Sequence, residues 1–170
     1  MRKISIFTFV ILFGIAISYG FSFLSKKQIE KQISRNDLWR VIGPGGGGAM
    51  FNQTVSPHDP NFAFVSCDMG GSFVTSNGGL SWRMFNLHGM VRFYVFDPLD
   101  SKTIYANSLG LFKSIDAGNT WKLLYPAPNE INGLISRGDH ADEIFFTRDS
   151  TIRQVLALAV DPENSAKLFA

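Results

Sequence analysis

The chain has a single cysteine, Cys67, among 170 residues, which excludes an internal disulfide and any paired-thiolate zinc or redox site. Standing alone in an apolar run, Cys67 reads as a small strand residue. Charge is scarce as well: 18% of residues are charged, 16 basic against 14 acidic. Two of the basic residues, Arg2 and Lys3, open the chain, and the remainder is neutral. No basic stripe is left for a nucleic-acid backbone to follow, so no nucleic-acid partner is expected. Beyond Leu38 no stretch repeats its apolar residues at helical spacing. The glycine run Gly45-Gly46-Gly47-Gly48 is followed by no Gly-Lys-Ser/Thr and opens no helix, which excludes a phosphate loop. The group Asp139, His140, Asp142 and Glu143 lacks the paired histidines of a zinc helix and the spaced carboxylates of a calcium loop. It reads as a solvated loop, and neither a metal nor a cofactor is expected.

One long apolar run is present, Ile4 to Leu24, directly behind Arg2 and Lys3. It reads as an export signal, with Ala16-Ile17-Ser18 or Ser18-Tyr19-Gly20 as the small-residue cleavage site. The alternative is an uncleaved anchor helix, since about 20 apolar residues cross a bilayer. Either way the remainder is expected outside the cytoplasm: secreted, periplasmic or at the cell surface. Membrane contact is then expected only through an uncleaved N-terminal segment. Residues 1–25 are thus the signal or anchor, 26–37 a polar linker, and 38–170 the folded part.

The folded part repeats itself. Ser114-Ile115-Asp116-Ala117-Gly118-Asn119-Thr120-Trp121 has an earlier copy at Thr75-Ser76-Asn77-Gly78-Gly79-Leu80-Ser81-Trp82, 39 residues before it. A hydroxyl residue comes first, Asp or Asn third, Gly fifth, Ser or Thr seventh and Trp eighth. An Asp or Asn side chain accepts from amides further along its own turn, and glycine adopts positive φ without cost. Each copy therefore predicts a hairpin turn, with Trp82 and Trp121 opening the returning strands and burying against a neighbouring sheet. Asp116 reads as a structural acceptor rather than a catalytic acid, because its own turn occupies it. Three Asp-Pro pairs, Asp59-Pro60, Asp97-Pro98 and Asp161-Pro162, each separate two strand-like runs. One unit is thus four strands: a first strand, an Asp-Pro turn, a second, a short turn, a third, the eight-residue turn, and a fourth.

Four strands repeating at about 40 residues is the habit of a β-propeller blade. The eight-residue motif resembles the Asp-box, or bacterial neuraminidase repeat, of sialidase-like propellers, with Asn77 standing for Asp in the first copy. That resemblance implies an all-β fold, an incomplete propeller of four-stranded antiparallel blades: two full blades and the start of a third. Removing 25 leader residues leaves 145, about three blades where closed propellers have about 4 to 8, so a longer protein is expected. The Phe/Tyr-Arg-Ile-Pro segment of true sialidases is absent, which leaves an arginine triad for sialic acid without support.

Alternating passes sort the loops. If the first strand of each unit runs downward, the Asp-Pro turns and eight-residue turns lie at one end and the remaining connections at the other. To that other end belong Gly43 to Gly48, the turn Asp68-Met69-Gly70-Gly71, and the overlong link Ala127 to Arg153. Gly45 to Gly48 followed by Cys67-Asp68-Met69-Gly70-Gly71 resembles the opening of the xyloglucan-hydrolysing glycoside hydrolases of family 74. In those, an Asp in a Thr-Asp-Ile-Gly-Gly segment is the general base of an inverting reaction. The resemblance implies Asp68 as catalytic base, with Gly70 and Gly71 admitting a sugar chain close to the backbone; it departs at Cys67 and Met69. The other reading of Asp68 is a turn cap. Arg92 is placed to enter the channel and hold a carboxylate or hydroxyl, and Asp139 and His140 to line the same cleft as substrate-binding residues. Two functions follow: an exported glycoside hydrolase acting on a polysaccharide, or a non-catalytic Asp-box propeller binding protein or glycan, as in sortilin-like receptors and assembly factors.

Overall fold

A computed structural model describes residues 41–45, 48–136, 138, 143–149 and 154–170. The expected leader and linker lie outside them, as do Asp139 and His140. Strands β1 (Met50–Val55), β2 (Ala63–Cys67), β3 (Gly71–Thr75) and β4 (Arg83–Asn86) make one antiparallel sheet in chain order. A second sheet repeats the pattern with β5 (Phe93–Phe96), β6 (Ile104–Asn107), β7 (Leu111–Ser114) and β8 (Lys122–Tyr125). Two hairpins follow, β9 (Ile131–Ser136) with β10 (Glu143–Thr147), and β11 (Ala159–Asp161) with β12 (Asn164–Phe169). Among the described residues the sole helical element is a 3₁₀ turn, Pro128–Glu130. The fold is all-β with four-stranded antiparallel sheets, as the repeat predicts.

Each sheet is built by the same local chemistry. In all three Asp-Pro turns the aspartate accepts from the amide two residues on: Asp59 from Asn61, Asp97 from Leu99 and Asp161 from Glu163, each at 2.9 Å. Proline presets the turn and the carboxylate closes it. The core lies between the two four-stranded sheets, where alternate residues of the strands meet. Phe64 and Tyr94 stack with centroids 4.7 Å apart, and Phe62 and Phe96 meet edge to face at 6.1 Å. Val74, Leu87, Val91, Ile104 and Ala106 fill the remaining space. Tyr94 and Phe96 face this core, while Phe93 and Val95 lie half-buried on the opposite side of β5.

Polar ties join the sheets across the core. Asn52 Nδ2 donates to Val91 O at 2.9 Å, His58 Nε2 to Asp97 O at 2.8 Å, and Ser66 Oγ to the Tyr94 hydroxyl at 3.1 Å. Asn107 Nδ2 reaches Val155 O, ahead of β11, at 2.9 Å.

Two expectations need correction. The link Ala127 to Arg153 is not a plain loop, because it contains the β9–β10 hairpin. Its runs Ile131-Asn132-Gly133-Leu134-Ile135 and Glu143-Ile144-Phe145-Phe146 carry enough branched and aromatic side chains to pair, and Ile144 is fully buried. Gly133 is needed there, since a Cβ at that position would stand 2.7 Å from the Phe146 ring. The tryptophans precede their strands by one residue instead of opening them, because the turn bonds hold residues 81 and 120. β11 and β12 pair on either side of the Asp161-Pro162 turn, where Lys167 is bound to Asp161 at 2.9 Å.

Candidate functional site

The two eight-residue turns share most of their bonds. In the second, Ser114 Oγ accepts from the amides of Asp116 (3.3 Å) and Gly118 (2.9 Å) and donates to Asp116 Oδ1 at 2.8 Å. Asp116 Oδ1 also accepts from the Asn119 and Thr120 amides at 3.1 and 2.8 Å, and Oδ2 from the Thr120 hydroxyl at 2.6 Å. In the first, Thr75 and Asn77 take the same places, with Gly79 N to Thr75 Oγ1 at 3.0 Å and Ser81 N to Asn77 Oδ1 at 2.9 Å. One bond reverses: Asn77 Nδ2 donates to Ser81 Oγ at 2.8 Å, where Asp116 accepts from a hydroxyl. The Thr120 hydroxyl first, and then its amide, hold the Asp116 carboxyl down at about 2. An acid bound so completely into its own turn is a poor proton donor at neutral pH.

Asp68 lies at the opposite end of its sheet. The register places the β1–β2 turn beside the eight-residue turn, where Gly78 N donates to Asn61 O at 2.9 Å, and the β2–β3 turn at the far end. The second sheet is arranged likewise, with Ala117 N bonded to Lys102 O at 3.0 Å. At the far end Asp68, partly buried, accepts at Oδ1 from the Ala49 amide at 3.0 Å, while its own amide donates to Ala49 O at 3.2 Å. Cys67 Sγ stands 3.4 Å from the same carboxylate oxygen. Neither partner was foreseen; their closeness accounts for Gly48, since a Cβ there (φ +92°) would approach Asp68 Oδ1 to 2.5 Å and Cys67 Sγ to 2.7 Å.

Gly70 has φ +83° and is buried under the turn, with its amide donating to Cys67 O at 3.2 Å. Gly71 opens β3, and a Cβ there would make only ordinary contacts with Met84 and Phe73. Met69, 63% exposed, forms the tip between them. Arg92 precedes β5 and is exposed, and its amide donates to Asn107 O at 2.7 Å. Because Asn52 of β1 reaches Val91, the leading ends of β1 and β5 lie at the same end, so Arg92 shares an end with Asp68. Asn107 pairs with Leu111 as Ser66 pairs with Ser72, so it stands in the second sheet where Ser66, not Asp68, stands in the first, and there it ties to Val155. The placements of Asp139 and His140 lie outside the described residues. Among the described residues no cluster of three or more His, Cys, Asp or Glu is arranged to hold a metal.

Taken with the fold, these features define an all-β protein built of repeated four-stranded antiparallel sheets with matching turns at one end. No family model and no curated protein matches the chain. Among solved structures it is similar to an ancestral GH74 enzyme, at 19% identity over 79% of this chain and 23% of that one, with a TM-score of 0.45. It is also similar to the GH74 enzyme of Niastella koreensis (18% identity, 69% and 24% of the two chains, TM-score 0.42). A third is the GH74 xyloglucanase from Xanthomonas campestris (17% identity, 69% and 26%, TM-score 0.38). The chain spans about a quarter of the length of these structures.

Proposed function

We propose that the two four-stranded sheets are successive blades of a β-propeller whose eight-residue turns are Asp-boxes, and that the protein is an exported glycoside hydrolase-like propeller acting on a β-glucan-type polysaccharide. Asp68 is the general base. The observation that carries this reading is the position of Asp68: a partly buried carboxylate, fixed at one oxygen by the Ala49 amide, at the end away from the structural turns. In this role it takes the proton of a water attacking the anomeric carbon, while a carboxylic acid about 6.5–9.5 Å away protonates the leaving oxygen. That acid comes from outside the described residues. Arg92, at the same end, is suited to hold a substrate hydroxyl.

The test is hydrolysis of soluble xyloglucan by the full-length protein. Asp68→Asn, with one oxygen kept for the Ala49 amide, lowers turnover by about 10² to 10⁴ if Asp68 is a base. Unchanged turnover in a folded variant removes the assignment.

A second reading has its own support. The paired bonds between Asp68 and Ala49 make the carboxylate a latch between β1 and the β2–β3 turn, which is what a binding propeller without catalysis would retain. In that case Asp68→Ala lowers the melting temperature and leaves glycan or protein binding in place.

A further inference from the structure

Between the two eight-residue turns, at the end away from Asp68, lies a cleft of about 340 Å³. It falls near the lower bound of small-molecule sites, about 300–1,000 Å³. Its lining is mixed: the rings of Trp82 and Phe62, the hydroxyl residues Ser76 and Ser81, the Arg83 guanidinium and Asn119. The walls are held before anything binds. Arg83 Nη2 crosses from the first sheet to the second turn, donating to Gly118 O at 3.0 Å and Asn119 Oδ1 at 3.3 Å. Trp82 spends its one polar atom on Ile42 O at 2.6 Å, so what it offers the cleft is ring carbon.

We propose that this cleft binds a single pyranose unit of a glycan, as a site separate from Asp68 and independent of whether Asp68 is catalytic. A pyranose has an apolar C–H face and a rim of hydroxyls. The face suits the indole of Trp82, and the rim suits Ser76 and the Arg83 fork, which has five N–H donors of which the two contacts above engage only Nη2. A purely apolar ligand would strand Ser76, Ser81 and Arg83 against hydrocarbon, at a desolvation cost. A polyanion would find a single cation. The residues that line the cleft all belong to the two four-stranded sheets and the turns that join their strands.

The experiment follows the indole N–H resonance of Trp82 in the full chain, assigned by its disappearance in Trp82→Phe, during titration with cellohexaose and then with a xyloglucan heptasaccharide. A saturable shift with at least one of these sugars is expected, unchanged in Asp68→Asn. Ser76→Trp, which fills the cleft without touching the turn bonds described above, weakens the binding at least tenfold. The proposal is overturned if the resonance stays still with both sugars, if its shift survives Ser76→Trp, or if Asp68→Asn abolishes it. Because hydrolysis reads Asp68 and the indole reads this cleft, either site can fail without the other.

Discussion

Trp121 lies parallel to Phe85 across the gap between the two four-stranded sheets, ring centroids 5.6 Å apart and planes 13° from each other. The ring of Phe64 meets the same tryptophan edge-on at 6.2 Å. One residue at the end of a surface turn thus anchors one sheet upon the next. Trp121→Ala should destabilise the protein by about 3 kcal/mol, the usual cost of removing a large aromatic from a packed site. Trp121→Phe should cost less than half of that, as read from the midpoint of urea unfolding.

Asp116 makes stability sensitive to acid. Its carboxyl is lowered from 3.8 to about 2, chiefly by the Thr120 hydroxyl. A depressed value in the folded state means that the ionised form favours folding. The contribution is complete above about pH 4 and disappears as pH falls through about 2. Asp116→Asn should therefore have a lower melting temperature than the parent at pH 6, with the gap closing between pH 4 and pH 2. Asn77 shows that an amide still closes the turn, so the variant should fold.

At the alkaline end the sensitive group is Tyr94. Burial pushes its hydroxyl up to about 12, against smaller lowering contributions from Ser66 and Ser72. A raised value means that the neutral form favours folding. That contribution is intact below about pH 10 and is lost as pH rises through 12. Tyr94→Phe should flatten this limb of the stability profile. At pH 7 it should cost about 1 kcal/mol for the bond lost from the buried Ser66. Ultraviolet titration should show one tyrosine fewer ionising at about 12.

Gly48 carries a test of the Asp68 latch. Alanine there meets a positive φ together with the Asp68 carboxylate and the Cys67 sulfur. Strain of this kind costs about 1–3 kcal/mol, and relieving it moves Asp68. Gly48→Ala should lower thermal stability and, in the full-length protein, any glycan hydrolysis along with it. Gly71→Ala, which meets only ordinary contacts, should change stability little by comparison.

The fold was legible wherever chemistry is local. Asp59, Asp97 and Asp161 before proline, and Asn77 and Asp116 within their turns, announce their bonds in the residues beside them, and four strands per repeat follow. The hairpin at Ile131–Thr147 was hidden because the charges at 139–143 distract from the apolar runs on either side. For the candidate site, the end of the sheet that holds Asp68 could be read from alternation alone. Its partners could not: Ala49 and Asp68 are brought together by the pairing of β1 with β2, and Trp82 and Asn119 by the packing of two sheets. Such meetings depend on register and on docking, which no short window of sequence contains.

Several of the bonds that cross from one sheet to the next have a shared asymmetry. Asn52, His58, Arg83 and Asn107 each give a side-chain N–H, and what receives it is a main-chain oxygen, of Val91, Asp97, Gly118 or Val155. Every amino acid supplies that oxygen. The receiving repeat is therefore free to drift in sequence without loosening its grip on its neighbour, whereas the giving repeat is not.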